Sequence, residues 1–313
     1  MGRNEFSQLP SSDLARSNQV QGRTCAEREG GEVYATLKLR SGSGRYGIQS
    51  AVALMALETI DAAAKRGVLA VQDYAVLSAR ALGNLFRRPF YRADIFQQAD
   101  IIGVGSLPIV ILTGFFLGGV LALQSASTLT QFGATAFTGQ LVSFSMIKEI
   151  GPVVTALMVS GRNASGMASE LGSMIVTEQI DAMRALGTDP LKKLVMPRIV
   201  STVVMLFFLV ILSDTVGIFG GGIVSVWMNG QDASQYFHTA YQSLEFPDLL
   251  QGLVKPVVFG FIIATIGCFY GMRTRGGTQG VGRATTQAVV LSSILIIVAD
   301  FLISQLLIGI FGR

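Results

Sequence analysis

Five charged side chains fall inside the long apolar runs of this sequence: Lys148, Glu149, Asp214, Lys255 and Asp300. A charge at the centre of a membrane helix costs roughly 2.5–3.5 kcal/mol on insertion scales. Five of them facing hydrocarbon would be untenable, so they must face one another, a neighbouring subunit or water. Three kinds of chemistry follow from such residues. They can lock helices together as ion pairs, give a ligand its polar contacts, or pass a proton along Glu149, Asp214 and Asp300. No other constellation competes. No Ser/His/Asp, metal-ligand or paired-acid spacing is present, and the lone His238 reads as a surface or interface residue. Cys25 lies in a polar tail and Cys268 in an apolar run, which supports neither a disulfide framework nor a metal site.

Two glycine-rich stretches imitate phosphate-binding loops. GSGRYG (Gly42–Gly47) matches G-x-G-x-x-G, but a dinucleotide fold needs a full βαβ unit and more chain than precedes the first apolar run. GTQGVGRA (Gly277–Ala284) has Arg283 where a phosphate loop needs lysine and Ala284 where it needs Ser or Thr. The sequence therefore shows no nucleotide site and no cofactor site of its own.

The elements that must position the charges are membrane helices. Of 313 residues, 50% are apolar, 14% are charged and 36 are glycine, with a mean hydropathy of +0.52. This composition predicts an all-α polytopic membrane protein. Five spans are expected, near Ile101–Leu123, Gly139–Gly161, Ile199–Trp227, Leu249–Met272 and Gln287–Phe311. No secretory signal peptide is visible ahead of them. Lys and Arg gather before the first span, between the second and third, and between the fourth and fifth, whereas Gln124–Thr138 and Met228–Asp248 contain neither. The positive-inside rule then predicts a cytoplasmic N-terminus and an external C-terminus. At 1.5 Å per residue Lys148 and Glu149 lie about 14 Å below the outer surface, and Asp214, Lys255 and Asp300 somewhat nearer it. One polar cluster is within reach of all five. Pro152, just after the first pair, implies a bent or broken second span. Glycines four apart (Gly114/Gly118, Gly217/Gly221, Gly267/Gly271) allow close helix approach.

Three regions are expected: a polar tail over residues 1–47, an amphipathic or interfacial helical region over 48–98, and a transmembrane domain over 99–313. Within the second, Val71, Ala75, Leu82 and Phe86 share one side of a helix and Asp73, Arg80, Asn84 and Arg87 the other. That pattern suits a helix lying in the headgroup layer with its arginines toward anionic lipid. A soluble helix packed on a small domain is the alternative.

Between the second and third spans stands TEQIDAMRALGTDP, Thr177 to Pro190. Thr177 can cap a helix, Glu178 and Asp181 supply negative charge early, Arg184 comes late, and Gly187 suits a left-handed C′ position. Val176, Ile180 and Met183 fall on one side and Glu178 and Asp181 on the other. The stretch predicts a short amphipathic helix at a boundary, against the plainer alternative of an ordinary loop.

KEIGPVVTALMVSGRNASGMASELGSMIVTEQIDAMRALGTDPLKKLVMPR (Lys148–Arg198), DTVGIFGGGIVS (Asp214–Ser225) and GVGRATTQAVVLSS (Gly280–Ser293) closely resemble the MlaE family of ABC-transporter permeases. The likeness runs in order from about Val68 to Gly312 and leaves out the first 45 or so residues. It implies a bacterial inner-membrane subunit acting as a homodimer with two cytoplasmic ATPase subunits, which would carry the ATP and Mg. It also implies an external MCE-domain partner and a phospholipid or similar cargo, with no nucleic acid. By resemblance, Thr177, Glu178, Gln179, Ile180, Asp181, Met183, Arg184, Leu186 and Gly187 match the coupling helix that seats on the ATPase. Val68–Arg88 matches the family's elbow helix. Lys148, Glu149 and Lys255 fall where family members place charges around a lipid cavity. On that reading Lys148 and Lys255 attract the lipid phosphate, Glu149 holds Lys148, and Leu117, Leu121 and Leu123 hold acyl chains. The competing expectation is an ion-coupled secondary transporter using Asp214, Glu149 and Asp300. Five spans with an external C-terminus do not divide into the equal inverted halves such a protein often shows. A lipid-modifying enzyme is a third class, for which no nucleophile–base pair is visible.

Overall fold

Hydropathy of this strength forces the backbone to satisfy its own hydrogen bonds, and helices result. The computed structural model describes residues 65, 69, 71–81, 83, 92–242 and 244–311. The expected polar tail, the GSGRYG stretch, Cys25 and the Leu82 and Phe86 positions lie outside the described residues. Residues 71–81 are helical. Eight labelled helices follow: α1 (Arg92–Gln131), α2 (Thr138–Ser145), α3 (Gly151–Val176), α4 (Gln179–Ala185), α5 (Met196–Asn229), α6 (Ala233–Gln242), α7 (Phe246–Met272) and α8 (Gly277–Phe311). Five helical stretches are long and apolar enough to cross a membrane: Arg92–Gln131, Thr135–Val176, Leu191–Asn229, Phe246–Met272 and Gly277–Ile310. The chain is an all-α polytopic membrane protein.

The second stretch is interrupted where Pro152 implied a break. A five-residue π-turn, Met146–Ile150, joins α2 to α3, with Pro152 in the first turn of α3. In an unbroken α-helix the carbonyl of Lys148 would accept from the N–H of residue 152, and proline has none. A second π-turn, Leu191–Val195, leads into α5.

Glycines set the closest contacts. α1 lies along α5 so tightly that a Cβ on Gly118 would sit 1.8 Å from the carbonyl oxygen of Gly217. α3 packs between α7 and α8, and Val159, Leu171, Phe259, Ile263 and Ile296 are fully buried there. The spans differ in what covers them. In the most apolar stretch of α7, 67% of residues are buried, against 11% in α8. Over residues 72–81 the side chains of Tyr74, Leu77, Ser78 and Ala81 form the covered face. Tyr74 Oη lies 2.8 Å from Thr265 Oγ1, its ring meets Phe269 edge-on, and Asp73 pairs with Arg273. The covered side is thus a third one, between the polar and apolar sides expected from the sequence, and Ala75 on the apolar side stays exposed.

Candidate functional site

The site is built on the π-turn. Pro152 leaves the Lys148 carbonyl without an α-ladder donor, and Lys255 Nζ, arriving from α7, donates to that oxygen at 2.9 Å. The same ammonium lies 2.5 Å from Glu149 Oε2 and 2.8 Å from Asp300 Oδ1 on α8. Two of these contacts are hydrogen bonds, to the Lys148 carbonyl and Glu149, whereas Asp300 is an ion-pair partner whose Oδ1 makes no hydrogen bond; Lys255 is wholly buried. α7 comes this near because position 252 is glycine; a Cβ there would be 2.4 Å from the Ile147 carbonyl oxygen.

Lys148 takes a different partner. Its Nζ is 2.9 Å from Asp248 Oδ1 and lies 4.2 Å over the Phe144 ring. Asp248 belongs to the first turn of α7, where its Oδ2 also accepts from the Glu245 N–H in a reciprocal capping box. Glu149 is completed by Gln251 Nε2 at 3.3 Å and Ser304 Oγ at 3.1 Å, both donating to Oε1. The expectation that Glu149 holds Lys148 is therefore corrected: Glu149 pairs with Lys255, and Asp248 holds Lys148. The physical reason is azimuth. Consecutive helical residues point about 100° apart, so Lys148 and Glu149 cannot serve one partner from one side.

Asp214 stands apart from this network. It is buried in α5 and makes no ion pair among the described residues; its Oδ1 lacks a hydrogen-bond partner and lies against Gly151. The expected cluster of five is thus a cluster of four, with Asp248 as an added member. A signal for Asp248, Gln251 and Lys255 existed in the sequence, since offsets of three and seven place them on one helix face. The Glu245-x-x-Asp248 pair ahead of an apolar run also marked the helix start. Leu117 and Leu121 pack beside the π-turn around Met146 and Ile150, while Leu123 is more open, at 37% exposure.

The Thr177–Pro190 stretch forms a second feature. Thr177 closes α3 rather than opening the next helix, its hydroxyl donating back to the Ser173 carbonyl at 2.9 Å. Glu178 occupies the junction with φ 60°, the one left-handed non-glycine among the described residues. Gln179–Ala185 is the short helix, and its end is a Schellman motif. Thr188 N–H reaches the Met183 carbonyl and Gly187 N–H the Arg184 carbonyl, each at 3.0 Å, with Gly187 at φ 76°. Ile180 is fully buried and Met183 partly so, which fixes one side to the helical core. Gln179, Asp181, Arg184 and Leu186 are exposed on the other, with Asp181 and Arg184 paired at 2.9 Å. Val176, expected to share a side with Ile180 and Met183, belongs instead to the end of α3 and is 38% exposed.

Known proteins share these features of sequence. Residues 95–306 match the family described as Permease MlaE. The chain is 42% identical over 234 residues to a probable ABC transporter permease protein of Rickettsia typhi, covering 75% of this chain and 90% of that one. It is 35% identical over 231 residues to the intermembrane phospholipid transport system permease protein MlaE of Haemophilus influenzae, covering 72% and 88%. Similarity extends to the chloroplastic protein TRIGALACTOSYLDIACYLGLYCEROL 1 of Arabidopsis thaliana, at 33% over 230 residues, covering 74% and 66%. Five apolar spans, the ordered match over nearly all of them and this level of identity carry one conclusion: the chain belongs to the MlaE family of permeases.

Proposed function

We propose that this chain is the membrane subunit of an ABC transporter. It moves phospholipids or related lipids between the bacterial inner membrane and an MCE-protein carrier, driven by a separate ATPase. The observation that carries the reading is the form of Gln179–Ala185: a short helix stopped by a Schellman motif, with Ile180 rooted in the core and Asp181, Arg184 and Leu186 turned outward. A rigid lever of this kind suits a partner that closes on ATP, and its charges would fix the register. Thr177, Glu178 and Gly187 frame that lever.

The remaining assignments rest on the family and on charge. The Lys- and Arg-free loops support a cytoplasmic Thr177–Pro190 side and a periplasmic C-terminus. The working unit is a homodimer with two ATPase subunits that hold ATP and Mg, and the helix around Tyr74 is the elbow. Glu149 and Lys148 line the polar part of a lipid cavity with Lys255 buried behind them as their support, and Leu117, Leu121 and Leu123 lie toward the acyl chains. The phospholipid named for the Haemophilus influenzae relative supports that cargo.

The test is reconstitution with the ATPase in liposomes. ATP should drive lipid transfer to the MCE partner, and Glu178→Lys combined with Asp181→Lys should weaken assembly. Normal assembly and coupling in the double variant would remove this account of the lever. Transfer driven by a proton gradient with no ATPase would establish the ion-coupled alternative.

A further inference from the structure

We propose that Glu149 selects an amine-bearing, zwitterionic phospholipid headgroup, an inference that rests on the lipid-binding reading of this site. The charge balance of the network is the starting point. Two ammonium groups, Lys148 and Lys255, face three carboxylates, Glu149, Asp248 and Asp300. With every group ionised, one negative charge is in excess. Both lysines are spent internally: Lys255 is enclosed by the Lys148 carbonyl and two carboxylates, and the Lys148 side chain, 15% exposed, already holds Asp248.

The open member is an acid. The side chain of Glu149 is 44% exposed, more than twice the 20% of Asp300 and far above the 11% of Asp248. It stands within a membrane-spanning stretch, where an exposed carboxylate needs a cation or donors. Its two oxygens accept from Lys255, Gln251 and Ser304. An ionised carboxylate offers about four lone-pair sites, so capacity remains on the exposed side. A primary ammonium satisfies that capacity with N–H donors, and its zwitterionic headgroup, neutral overall, adds no further negative charge to the site. The adjacent Lys148 edge lies beside the phosphate of the same headgroup. A headgroup with phosphate but no amine brings a second uncompensated negative charge to the same place. A quaternary choline brings charge without an N–H donor and should rank between the two.

The experiment uses the full complex with its ATPase, in nanodiscs of equimolar phosphatidylethanolamine, phosphatidylcholine and phosphatidylglycerol. Lipid retained on extraction is counted by native mass spectrometry. Wild type should retain ethanolamine over glycerol headgroups by roughly three- to fivefold, the range of a partly exposed ion pair. Glu149→Gln should return the ratio to that of the bilayer. Asp248→Asn, which releases Lys148 and removes the excess charge, should move the ratio toward phosphatidylglycerol. Asp248→Asn carries the test alone if Glu149→Gln lowers the yield of complex. Retained lipid in bilayer proportions in wild type, or ratios unmoved by both substitutions, overturns the proposal and leaves the transporter reading intact. A complex that hydrolyses ATP but retains no lipid overturns both.

Discussion

Replacing Lys255 by methionine tests the electrostatics of the site most directly. The two side chains are similar in length, so packing is largely kept and the ammonium alone is lost. Lys255 is wholly buried, and its removal leaves Glu149, Asp300 and the Lys148 carbonyl without the ammonium they share. Breaking a buried pair by deleting one partner destabilises by about 3–5 kcal/mol. Glu149 is 44% exposed and Asp300 20%, which relieves part of that, so the lower end, about 3 kcal/mol, is the working figure. For a folded unit of 150–250 residues each kcal/mol shifts Tm by about 2–4 °C, so the midpoint should fall by roughly 6–12 °C. The assay is thermal unfolding of the purified complex in nanodiscs. The companion is the triple variant Lys255→Met, Glu149→Gln, Asp300→Asn, which removes all three charges together. Replacing a whole buried ionic group is often neutral or stabilising, so the triple variant should recover most of the loss. A single variant melting within 2 °C of wild type, or a triple variant no better than the single, would refute the reasoning.

Other outcomes follow from the packing. Gly118→Ala should abolish the yield of folded protein, because its Cβ would meet the Gly217 carbonyl at 1.8 Å, whereas Gly161→Ala, with open space, should be neutral or gain up to about 1 kcal/mol in a melting assay. Ile180→Ala empties a fully buried position and should loosen the short helix by about 2–5 kcal/mol, read as new proteolysis between residues 177 and 190 and loss of ATPase stimulation. Glu178→Gly should relieve about 1 kcal/mol of left-handed backbone strain and raise Tm slightly, while ATPase binding weakens. Asp214→Asn should preserve ATP-driven transfer; its loss would favour a proton relay through that carboxyl.

Much of this was legible in the chain. The five spans were visible because each apolar run is long, but their helices run further than the hydropathy does. α1 starts at Arg92 where the apolar run starts near Ile101, because a helix continues past the hydrocarbon into regions where hydropathy carries no signal. The charges of the site were visible as exceptions to the apolar rule. Their pairing was not, because depth along a helix says nothing of azimuth, and Asp248 looked like a loop residue until its capping role placed it in the first turn of α7. Thr177 misled for a related reason: a threonine hydroxyl can open one helix or close another, and here it bonds back to Ser173.

The π-turn at Met146–Ile150 has a mechanical consequence. One carbonyl that proline deprives of its α-helical donor is held by a lysine from another span, so the wide turn is tied to α7 by that bond. The hinge offered by proline and the extra residue is held by α7 through Lys255. Flexing during a transport cycle must then be borne elsewhere than this turn.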